Sequence, residues 1–321
     1  MIYINENDIK RIGFDWQETI SVIEQAVMCL SGNDFAQPVK PYLRYRNLVN
    51  RIIAMPAFVG GDVNTSGIKW IASFPGNLEK GIPRAHSVVI LNDADTGEPT
   101  GIINTALLSI IRTASVSGLM IRYFNKIRDL DRINVGITGW GPIGKHHLKM
   151  CTDLLAGKID RIFLYDIRDI DASTIDASIR DKVTIARSWE EAYVDADIFM
   201  TCTVSDAPYI DKAPKKRSLQ LNVSLRDYKT DIYDYVRDTI IVDDWEEVCR
   251  EKTDIEMIHI EKGLKEEDTR SIVDVVANNC LVHYDPEAAV MFNPMGMAVF
   301  DIALGKYYID RAFEEKIGQD I

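Results

Sequence analysis

Short apolar segments separated by polar or helical stretches occupy the middle and later part of the chain. Ile133, Val135 and Ile137 alternate with small or polar residues, and this period of two predicts a strand. Comparable segments follow in order: RIFLYD, KVTIARS, ADIFMTCTV, RSLQLNVS and TIIVDDW. Strands spaced in this way by helical stretches are typical of an α/β fold with a Rossmann-type, doubly wound parallel sheet.

The N-terminal part has a different pattern. Asp15 and Glu18 form a helix-start signal, and the apolar stripe that follows predicts a helix that Gly32 ends. RIIAMPAFV, GIKWIAS, SVVILND and EPTGII then predict strands, of which GIKWIAS is expected to be buried on both faces. A helix from about Thr105 to Phe124 leads into the parallel sheet, and the final strand, break and helix return to the first part. We therefore predict an α+β domain at 1–118 with 300–321, and a dinucleotide domain at 119–299.

A glycine-rich turn follows the strand at Ile133 in the stretch INVGITGWGPIGKHHLK. Gly139, Gly141 and Gly144 have the spacing of a phosphate-binding turn, and Pro142 stands where a helix begins. Asp166 ends the next predicted strand, 166 − 144 = 22 residues after the third glycine, at the place of a ribose-binding carboxylate. An ordinary glycine turn is the alternative, but motif, strand, helix and acid together favour a dinucleotide.

The carboxylate of Asp166 also predicts which dinucleotide binds. It would accept a hydrogen bond from a ribose 2′-hydroxyl and repel a 2′-phosphate, so we expect NAD rather than NADP. Arg168, two residues further on, is a cation that would instead favour the 2′-phosphate of NADP.

Composition narrows the classes of partner. The chain has 321 residues, 46% hydrophobic and 27% charged, with a formal net charge of −12 and no basic block. Nucleic acid and anionic membrane surfaces would repel it, so small molecules are the expected partners. The N-terminal sequence lacks the pattern of a signal peptide, and no run approaches the roughly 18 apolar residues of a membrane span. We expect a cytoplasmic protein.

The distribution of Cys, His and Asp argues against a metal site. Five cysteines are scattered without C-x-x-C pairs, which is typical of reduced thiols. His146 and His147 are adjacent, do not share a helix face, and are interpreted as helix-surface residues. Asp243 and Asp244 are interpreted as helix-capping carboxylates. No metal is predicted.

Several charged residues are candidates for chemistry. No acidic residue lies between Asp34 and Asp62, whereas four basic residues do, which indicates either a carboxylate pocket or a solvated loop; they are Lys40, Arg44, Arg46 and Arg51. Lys69 lies in an apolar strand and requires an anionic partner or a depressed pKa. Arg112 interrupts an apolar helix and requires a carboxylate or phosphate, from a ligand or from the protein itself. His86 is interpreted as a core or edge histidine.

Asp227 in NVSLRDYK is the candidate general acid or base. It follows a predicted strand of the parallel sheet, at the carboxyl edge where such sheets bind ligands. A turn or capping role is the alternative interpretation for an aspartate at this position.

Taken together, the motifs resemble the ornithine cyclodeaminase and μ-crystallin family over essentially the whole chain. They are RIIAMPAF, GIKWIASFPGN, LNDADTGEPTG, IIRTASVSG, GITGWGPIG, LYD and TCTVSD. QPVKPYLR, IVDDWEEVCREK and NPMGMAVFD resemble a siderophore-pathway branch of the staphyloferrin B type, which forms 2,3-diaminopropionate with a PLP-dependent, cysteine-synthase-like partner enzyme. Two departures from ornithine cyclodeaminases are the segment before Asp227 and the absence of a carboxylate at Ile53 and Ala54, just before the Met-Pro pair.

The resemblance implies a substrate-binding domain that also forms a homodimer through its strands. It further implies that Arg44, Lys69 and Arg112 hold substrate carboxylates and that Asp227 transfers protons. Lys69 is a second candidate for acid–base catalysis. The residues expected to bind NAD are Arg112, Thr113, Gly139, Gly141, Pro142, Ile143, Gly144, Asp166, Thr203, Val204, Ser205 and Met297.

The implied reaction is the NAD-dependent oxidation of N-(2-amino-2-carboxyethyl)-L-glutamate to 2-oxoglutarate and L-2,3-diaminopropionate. Three substrate carboxylates agree with a cluster of cations better than the single carboxylate of ornithine or alanine does. The alternatives are an ornithine cyclodeaminase or alanine-type dehydrogenase, and a non-catalytic, nucleotide-dependent binding protein of the μ-crystallin kind.

Overall fold

The structure is a computed structural model that describes all 321 residues, Met1 to Ile321. It contains two compact units. The first comprises Met1–Ser115 and Gly296–Ile321, and the second comprises Val116–Met295.

The chain forms sixteen strands and ten α-helices. The strands are β1 (Ile2–Asn5), β2 (Phe35–Ala36), β3 (Tyr42–Leu43), β4 (Arg51–Val59), β5 (Thr65–Ser73), β6 (Ala85–Asp93), β7 (Pro99–Asn104), β8 (Ile133–Thr138), β9 (Ile159–Tyr165), β10 (Val183–Ile185), β11 (Ile198–Thr201), β12 (Leu219–Leu221), β13 (Ile240–Val242), β14 (Arg270–Ser271), β15 (Val290–Asn293) and β16 (Gln319–Asp320). The helices are α1 (Glu6–Ile12), α2 (Trp16–Ser31), α3 (Leu107–Arg128), α4 (Pro142–Leu154), α5 (Trp189–Tyr193), α6 (Tyr233–Val236), α7 (Trp245–Val248), α8 (Asp254–Lys262), α9 (Ile272–Val276) and α10 (Ala298–Glu315).

The first unit contains a mixed, largely antiparallel sheet. Its strand order is β16-β1-β7-β6-β5-β4-β2, with β3 also paired to β4, and only the β1–β7 pair is parallel. Helices α2 and α10 pack together, and α10 lies against β4, β5 and β6. As predicted, Asp15 caps α2 by accepting a hydrogen bond from the Glu18 amide. The apolar stripe of α2 is buried, which ties this helix to the core.

The two faces of this sheet differ. Lys69 on β5 points to the face that α10 covers and is 2% exposed. Trp70, the next residue, points to the opposite face and is 44% exposed, and Ile90 on β6 is 36% exposed there. The prediction that this strand is buried on both faces is therefore wrong for the single chain. An apolar sequence on both faces of a strand predicts burial but does not say whether a second chain supplies it.

The second unit is the predicted α/β domain. Its eight strands are all parallel, in the order β10-β9-β8-β11-β12-β15-β13-β14. Ile133, Val135 and Ile137 of β8 are buried, as their alternation predicts. The chain runs outward from β8 through β9 to β10, then returns to β11 on the other side of β8. In Rossmann-type sheets this reversal opens a crevice at the carboxyl ends of the strands, here those of β8 and β11.

Helix α4 buries a histidine that the sequence did not predict to be buried. The His147 ring donates from Nδ1 to the Ile143 carbonyl at 2.9 Å and shares a hydrogen bond at Nε2 with Ser117 Oγ at 2.9 Å. The residue has no exposed surface. Burial lowers the pKa of His147 to about 4. The surface interpretation is thus wrong for His147, because residues 147, 148, 150 and 151 form the buried face of α4.

Helix α3 is long and apolar enough to cross a membrane by length and composition alone. Of its most apolar stretch, 72% is buried within the structure. A core helix of a soluble protein passes the same test. The five cysteines are all free thiols, and Cys151, Cys202 and Cys280 are buried.

Candidate active site

The glycine turn between β8 and α4 has the backbone shape that its spacing predicts. Gly139 has φ +93°, and a Cβ there would lie 2.4 Å from the Cys202 carbonyl oxygen. A Cβ at Gly144 would lie 2.0 Å from the carbonyl oxygen of Gly139. Any larger residue at either position would therefore push apart the turn, the helix or the neighbouring strand end.

Gly141 serves a different purpose from the other two glycines. It is the N-cap residue of α4, makes no side-chain cap, and has no atom within 4 Å of the position of a Cβ. No side chain caps the first amides of this 13-residue helix, which lie at the positive end of the helix dipole. Pro142 and Ile143 form the first turn of the helix. This is a suitable cradle for the pyrophosphate of a dinucleotide.

Asp166 lies directly after β9 and is held by the turn itself. Its Oδ2 accepts a hydrogen bond from the Trp140 amide at 2.7 Å, and its Oδ1 accepts one from the Arg168 amide at 2.9 Å. Burial alone would raise the pKa of Asp166, but these hydrogen bonds outweigh it and lower the pKa. The group is therefore a carboxylate at neutral pH, as a ribose diol requires. The Arg168 guanidinium also donates a hydrogen bond from Nε to Asp166 Oδ1 at 3.4 Å.

The segment after β11 lies against the glycine turn. A Cβ at Gly139 would approach the Thr203 amide nitrogen to 2.8 Å, so the two backbones are in close contact. Thr203 Oγ1 donates a short hydrogen bond to Asp227 Oδ1. Val204 is 62% exposed and Ser205 donates to the Ala207 carbonyl. The structure thus brings the predicted segment after β11, the glycine turn and Asp227 together at one end of the parallel sheet.

Asp227 is a buried carboxyl group with one oxygen unused. Thr203 holds Oδ1, whereas Oδ2 is buried and makes no hydrogen bond. Burial is the main effect on its pKa and, against the hydrogen bond from Thr203, raises it to about 6. A carboxyl group with such a pKa populates both its protonated and its charged form near neutral pH, as an acid–base catalyst requires. An oriented, half-satisfied carboxyl group fits the predicted acid–base role better than the alternative turn or capping role does.

A second buried carboxyl group supports the Asp227 backbone. Asp254 Oδ2 accepts hydrogen bonds from the amides of Asp227 and Tyr228, each at 3.2 Å, and from Asn222 Nδ2 at 3.0 Å. Burial is the main cause that raises the pKa of Asp254 to about 7, and the nearby Asp227 adds to it. Asp254 therefore fixes the position from which the Asp227 side chain extends.

The first unit contains a buried cluster of cations around one acid. Asp301 on α10 accepts a hydrogen bond from Lys69 Nζ at 2.7 Å on Oδ2 and one from Arg112 Nε at 3.0 Å on Oδ1. All three side chains are at most 8% exposed. Burial is the largest effect on Lys69 and lowers its pKa to about 7, with Asp301 opposing and Arg112 adding to the shift. Lys69 thus has both the anionic partner and the depressed pKa that its sequence context requires.

Lys40 joins the same cluster through the backbone. Its Nζ donates to the Gly296 carbonyl at 2.7 Å, and Lys40 is 4% exposed. Gly296 has φ +89°, and a Cβ there would lie 2.4 Å from an Arg112 nitrogen. The absence of a side chain at Gly296 therefore lets the guanidinium approach the backbone that anchors Lys40. Two cations, Lys69 and Arg112, share the single carboxylate of Asp301, and Lys40 lies close enough to lower the pKa of Lys69 further.

Other predicted residues of the first unit make local contacts. Arg44 Nη1 donates to the Leu48 carbonyl at 2.7 Å, within the loop between β3 and β4. Thr113, one residue after Arg112, donates its hydroxyl to the Ser109 carbonyl at 2.7 Å. Met297 is the N-cap residue of α10 and is buried. Arg46 is exposed with φ +54°, as in a solvated turn.

Two functional candidates were missed by the sequence reasoning, namely Asp301 and Asp254. The signal for Asp301 was present, because it is a lone acid in the apolar run AVFDIALG of a helix. Asp254 lies at the start of a helix among other charged residues, where nothing distinguishes it from a capping residue. Of the two interpreted caps, Asp244 does cap α7 through the Glu247 amide. Asp243 instead accepts the amides of Asp244 and Met295, so the capping interpretation is wrong for it.

The buried ion cluster predicts an asymmetry in stability. Asp301→Ala leaves Lys69 and Arg112 buried without their acid and should lower the free energy of unfolding by about 3–5 kcal/mol. Lys69→Met should cost less, because Arg112 continues to hold Asp301 and methionine replaces the apolar stem. Urea unfolding of the three proteins checks this. The control is Asp310→Ala, which breaks an exposed pair with Lys306 on the same helix. If Lys69→Met or this control lowers the free energy of unfolding as much as Asp301→Ala does, the prediction is contradicted.

The raised pKa of Asp227 predicts that this residue reduces stability at neutral pH. The folded protein holds the proton to about pH 6, whereas the ordinary value is 3.8, so the native state binds more protons in between. The free energy of unfolding should therefore fall as pH rises from about 4 through 6. Asp227→Asn, which stays neutral, should remove the share of that change due to Asp227 and leave the share due to Asp254, whose pKa is raised to about 7. The variant should be more stable at pH 7 by up to about 3 kcal/mol. Urea unfolding at pH 4 to 8 measures both; a variant less stable than the wild type at pH 7 would refute this.

Comparison with known proteins places this geometry in a family. The family model described as ornithine cyclodeaminase/mu-crystallin matches residues 8–316. An N-((2S)-2-amino-2-carboxyethyl)-L-glutamate dehydrogenase of Staphylococcus aureus is 32% identical, with 99% of this chain and 97% of that protein covered. A Delta(1)-pyrroline-2-carboxylate reductase of Bacillus cereus is 24% identical, over 100% of this chain and 99% of its own length.

Solved structures share the fold over the full length. A Delta(1)-pyrroline-2-carboxylate reductase of Thermococcus litoralis, in complex with NADH and L-proline, has a TM-score of 0.88 at 20% identity, with 100% of each chain covered. An archaeal alanine dehydrogenase dimer with bound NAD has a TM-score of 0.85 at 22% identity, with 100% of this chain and 98% of that one covered. The predicted Rossmann-type fold and the resemblance seen in the sequence motifs are both confirmed. The chain belongs to the ornithine cyclodeaminase/mu-crystallin family.

Proposed function

We propose that this protein is an NAD-dependent dehydrogenase that acts on the CH–NH bond of N-(2-amino-2-carboxyethyl)-L-glutamate. Water then opens the resulting imine, and the products are 2-oxoglutarate, L-2,3-diaminopropionate, NADH and a proton. The similarity to the Staphylococcus aureus dehydrogenase supports the substrate, since it extends over nearly the full length of both chains. The family also contains reductases of cyclic imines, which share the same CH–NH chemistry.

The observation that carries the proposal is the excess of buried positive charge around Asp301. One carboxylate is shared by two buried cations, Lys69 and Arg112. A second carboxylate, that of the substrate α-carbon, would balance this cluster and accept the planar fork of an arginine. Asp301 holds Lys69 and Arg112 in place in advance, so little ordering is needed when the substrate binds.

The residues of the second unit fit a dinucleotide. The open helix end at Gly141 would hold the pyrophosphate, and Asp166 would accept from the ribose hydroxyls. Bound NAD+ supplies the acceptor for the hydride that leaves the substrate α-carbon. Because Asp166 is a carboxylate already hydrogen-bonded to two amides, a 2′-phosphate would meet a fixed negative charge. The chain is therefore proposed to use NAD rather than NADP.

Proton transfer is assigned to Asp227. With Oδ1 held by Thr203, Oδ2 is the oxygen that would accept the proton of the substrate amine as the α-carbon is oxidised. The same group would return a proton to the amine that leaves after water attacks the imine carbon. Lys69, whose pKa is about 7, is the second candidate for orienting or deprotonating that water. The two roles are exchangeable in the proposed mechanism.

The residues near the Met-Pro pair argue against ornithine as substrate. Ile53 and Ala54 on β4 occupy the place where ornithine cyclodeaminases can have a carboxylate, and neither can neutralise a distal amine. The proposed substrate is an amino-acid conjugate, and its formation is assigned to a PLP-dependent, cysteine-synthase-like enzyme of the same siderophore or antibiotic pathway. A cytoplasmic location is part of the proposal, since NAD and both products are metabolites of that compartment.

The open face of the mixed sheet supports a homodimer. Trp70 and Ile90 are exposed on the face away from α10, and half-buried apolar residues of β4 and β5 surround them. A surface of this kind on a soluble protein is typical of an interface. Twofold pairing of two such faces buries them both, and cyclic dimers are the commonest assembly.

A product assay tests the proposed reaction. The protein should reduce NAD+ in the presence of N-(2-amino-2-carboxyethyl)-L-glutamate, with absorbance rising at 340 nm and diaminopropionate detected by mass spectrometry. NADP+ should support much slower turnover, and Asp227→Asn should be slower by about 100- to 10,000-fold. Ornithine, alanine and proline are tested in parallel. Turnover of one of these without diaminopropionate formation would replace the proposed substrate, and NAD(H) binding without any turnover would favour a binding protein.

The dimer has its own test. Static light scattering at micromolar concentration should give twice the chain mass of 36.3 kDa. Trp70→Lys combined with Ile90→Lys should shift the mass to that of a monomer, because charges would be buried at the interface. Phe313→Lys is the matched control, since Phe313 is 75% exposed on α10. A double variant that remains dimeric would exclude this face as the interface.

A further inference from the structure

The turn that follows β12 contains a backbone conformation that is uncommon for a residue with a Cβ. Leu225 has φ +64°, in the left-handed region, and its side chain is 3% exposed. Strain of this kind persists only where the surroundings hold it, and it is concentrated at functional sites. Asp227 lies two residues further along the same turn, so the strained bend determines where its carboxyl group is directed.

Both backbone groups of Leu225 are held by neighbouring residues. Its amide donates to Asn222 Oδ1 at 3.1 Å, and its carbonyl accepts from the Asp254 amide at 2.8 Å. The Asp254 side chain accepts the amides of Asp227 and Tyr228 on the far side of the bend. One residue at the start of α8 therefore binds the turn both at its strained residue and beyond it.

Helix α8 does not use the Asp254 carboxyl group as its cap. Thr253 is the N-cap residue, and its Oγ1 accepts the Glu256 amide at 3.1 Å. An acid in a first helical turn commonly serves the helix dipole from the protein surface. Asp254 is instead 3% exposed, and its hydrogen bonds go to the turn. The side chain thus serves the turn rather than its own helix.

Asn222 uses its whole hydrogen-bonding capacity to hold this arrangement. Oδ1 accepts from the Leu225 amide and from the Thr201 hydroxyl at 3.2 Å. Nδ2 donates to Asp254 Oδ2 at 3.0 Å and to Asn293 Oδ1 at 2.8 Å. These are all four hydrogen bonds that a primary amide makes. Because Thr201 and Asn293 end β11 and β15, the turn is fixed to the strands on either side of β12.

The contacts leave one polar atom of Asp227 for chemistry. Its amide donates to Asp254, and its carbonyl accepts the amides of Tyr209 and Ile210 at 2.8 Å each. Thr203 holds Oδ1, and Oδ2 makes no hydrogen bond. A reacting group has to be held to within a fraction of an ångström, so a small movement of the turn would misdirect this oxygen.

We propose that Asp254, itself oriented by Asn222, is a positioning residue that directs Asp227 Oδ2 at the substrate amine. The proposal rests on the proposed function, in which Asp227 transfers the proton. Asp254 acts through the turn and not on the substrate. Its role requires an oxygen that accepts the two amides, so asparagine replaces Asp254 in this role and alanine does not.

Turnover of the conjugate with NAD+ tests the proposal. Asp254→Ala should lower kcat by about 10- to 100-fold and leave the KM for NAD+ within about 3-fold, since the change misplaces the proton-transfer group alone. Asp254→Asn should keep kcat within about 3-fold of the wild type. Glu261→Gln is the matched control, because it removes an exposed charge from the same helix. Melting temperatures are measured on the same preparations, and Asp254→Ser replaces the alanine variant if that one does not fold.

A double variant separates positioning from a general structural role. If Asp254 acts only through Asp227, Asp254→Ala should change kcat by less than about 3-fold in an Asp227→Asn background. A loss there as large as in the wild-type background would overturn the proposal. An Asp254→Asn variant as slow as Asp254→Ala would overturn it as well, since the acceptor oxygen would then not suffice.

A measurement without substrate keeps this proposal distinguishable from the proposed function. If the wild type turns over none of the tested substrates, the proposed function fails, and the titration of the Asp227 carboxyl group by ¹³C NMR decides the role of Asp254. The pKa of Asp227 should be about 6 in the wild type and in Asp254→Asn, and should fall towards 3.8 in Asp254→Ala, because a released side chain regains solvent. An unchanged pKa in Asp254→Ala would refute the positioning role. The other titratable or charged groups near Asp227 stay the same in these variants; they are Cys202, Tyr209, Arg226 and Tyr228.

Discussion

The ion cluster at Asp301 is the interaction on which the first unit depends. A buried carboxylate and buried cations are each costly alone, and they are tolerated here because every charge faces an opposite one. Lys69 comes from the sheet, Arg112 from α3 and Asp301 from α10, so the cluster fixes the register of three elements at once. The same arrangement leaves positive charge in excess. Structural stability and the proposed binding of an anionic substrate thus depend on one set of contacts, and a change to the acid would affect both.

In the second unit, Asp227 and Asp254 are buried acids without a buried cation beside them. Asp227 and Asp254 are instead held by hydroxyl and amide donors, and burial raises both of their pKa values into the range near neutrality. A carboxyl group that is easily protonated is costly for folding but useful for moving protons. The backbone alone requires glycine at two positions of the turn, because a Cβ at Gly139 or Gly144 would lie 2.4 or 2.0 Å from a backbone carbonyl oxygen.

The fold was largely predictable from sequence because its signals are local. Alternation at β8, the glycine spacing and Asp166 each lie within a short stretch, and the structure arranges them as predicted. Lys69 and Arg112 were recognised as buried charges because apolar neighbours surround them in sequence. Their partner Asp301 was not identified, since it is 232 residues from Lys69 and pairing over such distances leaves no local pattern. His147 was misplaced for a related reason, because its partner Ser117 lies on another helix.

The position of Asp301 in the chain has a consequence for synthesis on the ribosome. The first unit needs the segment Gly296–Ile321, which is translated after the whole of Val116–Met295. Until then Lys69 and Arg112 have no acid to face, and the sheet lacks the helix that covers one of its faces. The parallel-sheet unit, whose residues are contiguous, can become compact first. A nascent chain therefore exposes a charged, half-covered sheet until the segment Gly296–Ile321 has emerged, and this is the interval in which a chaperone would find the most exposed surface to bind.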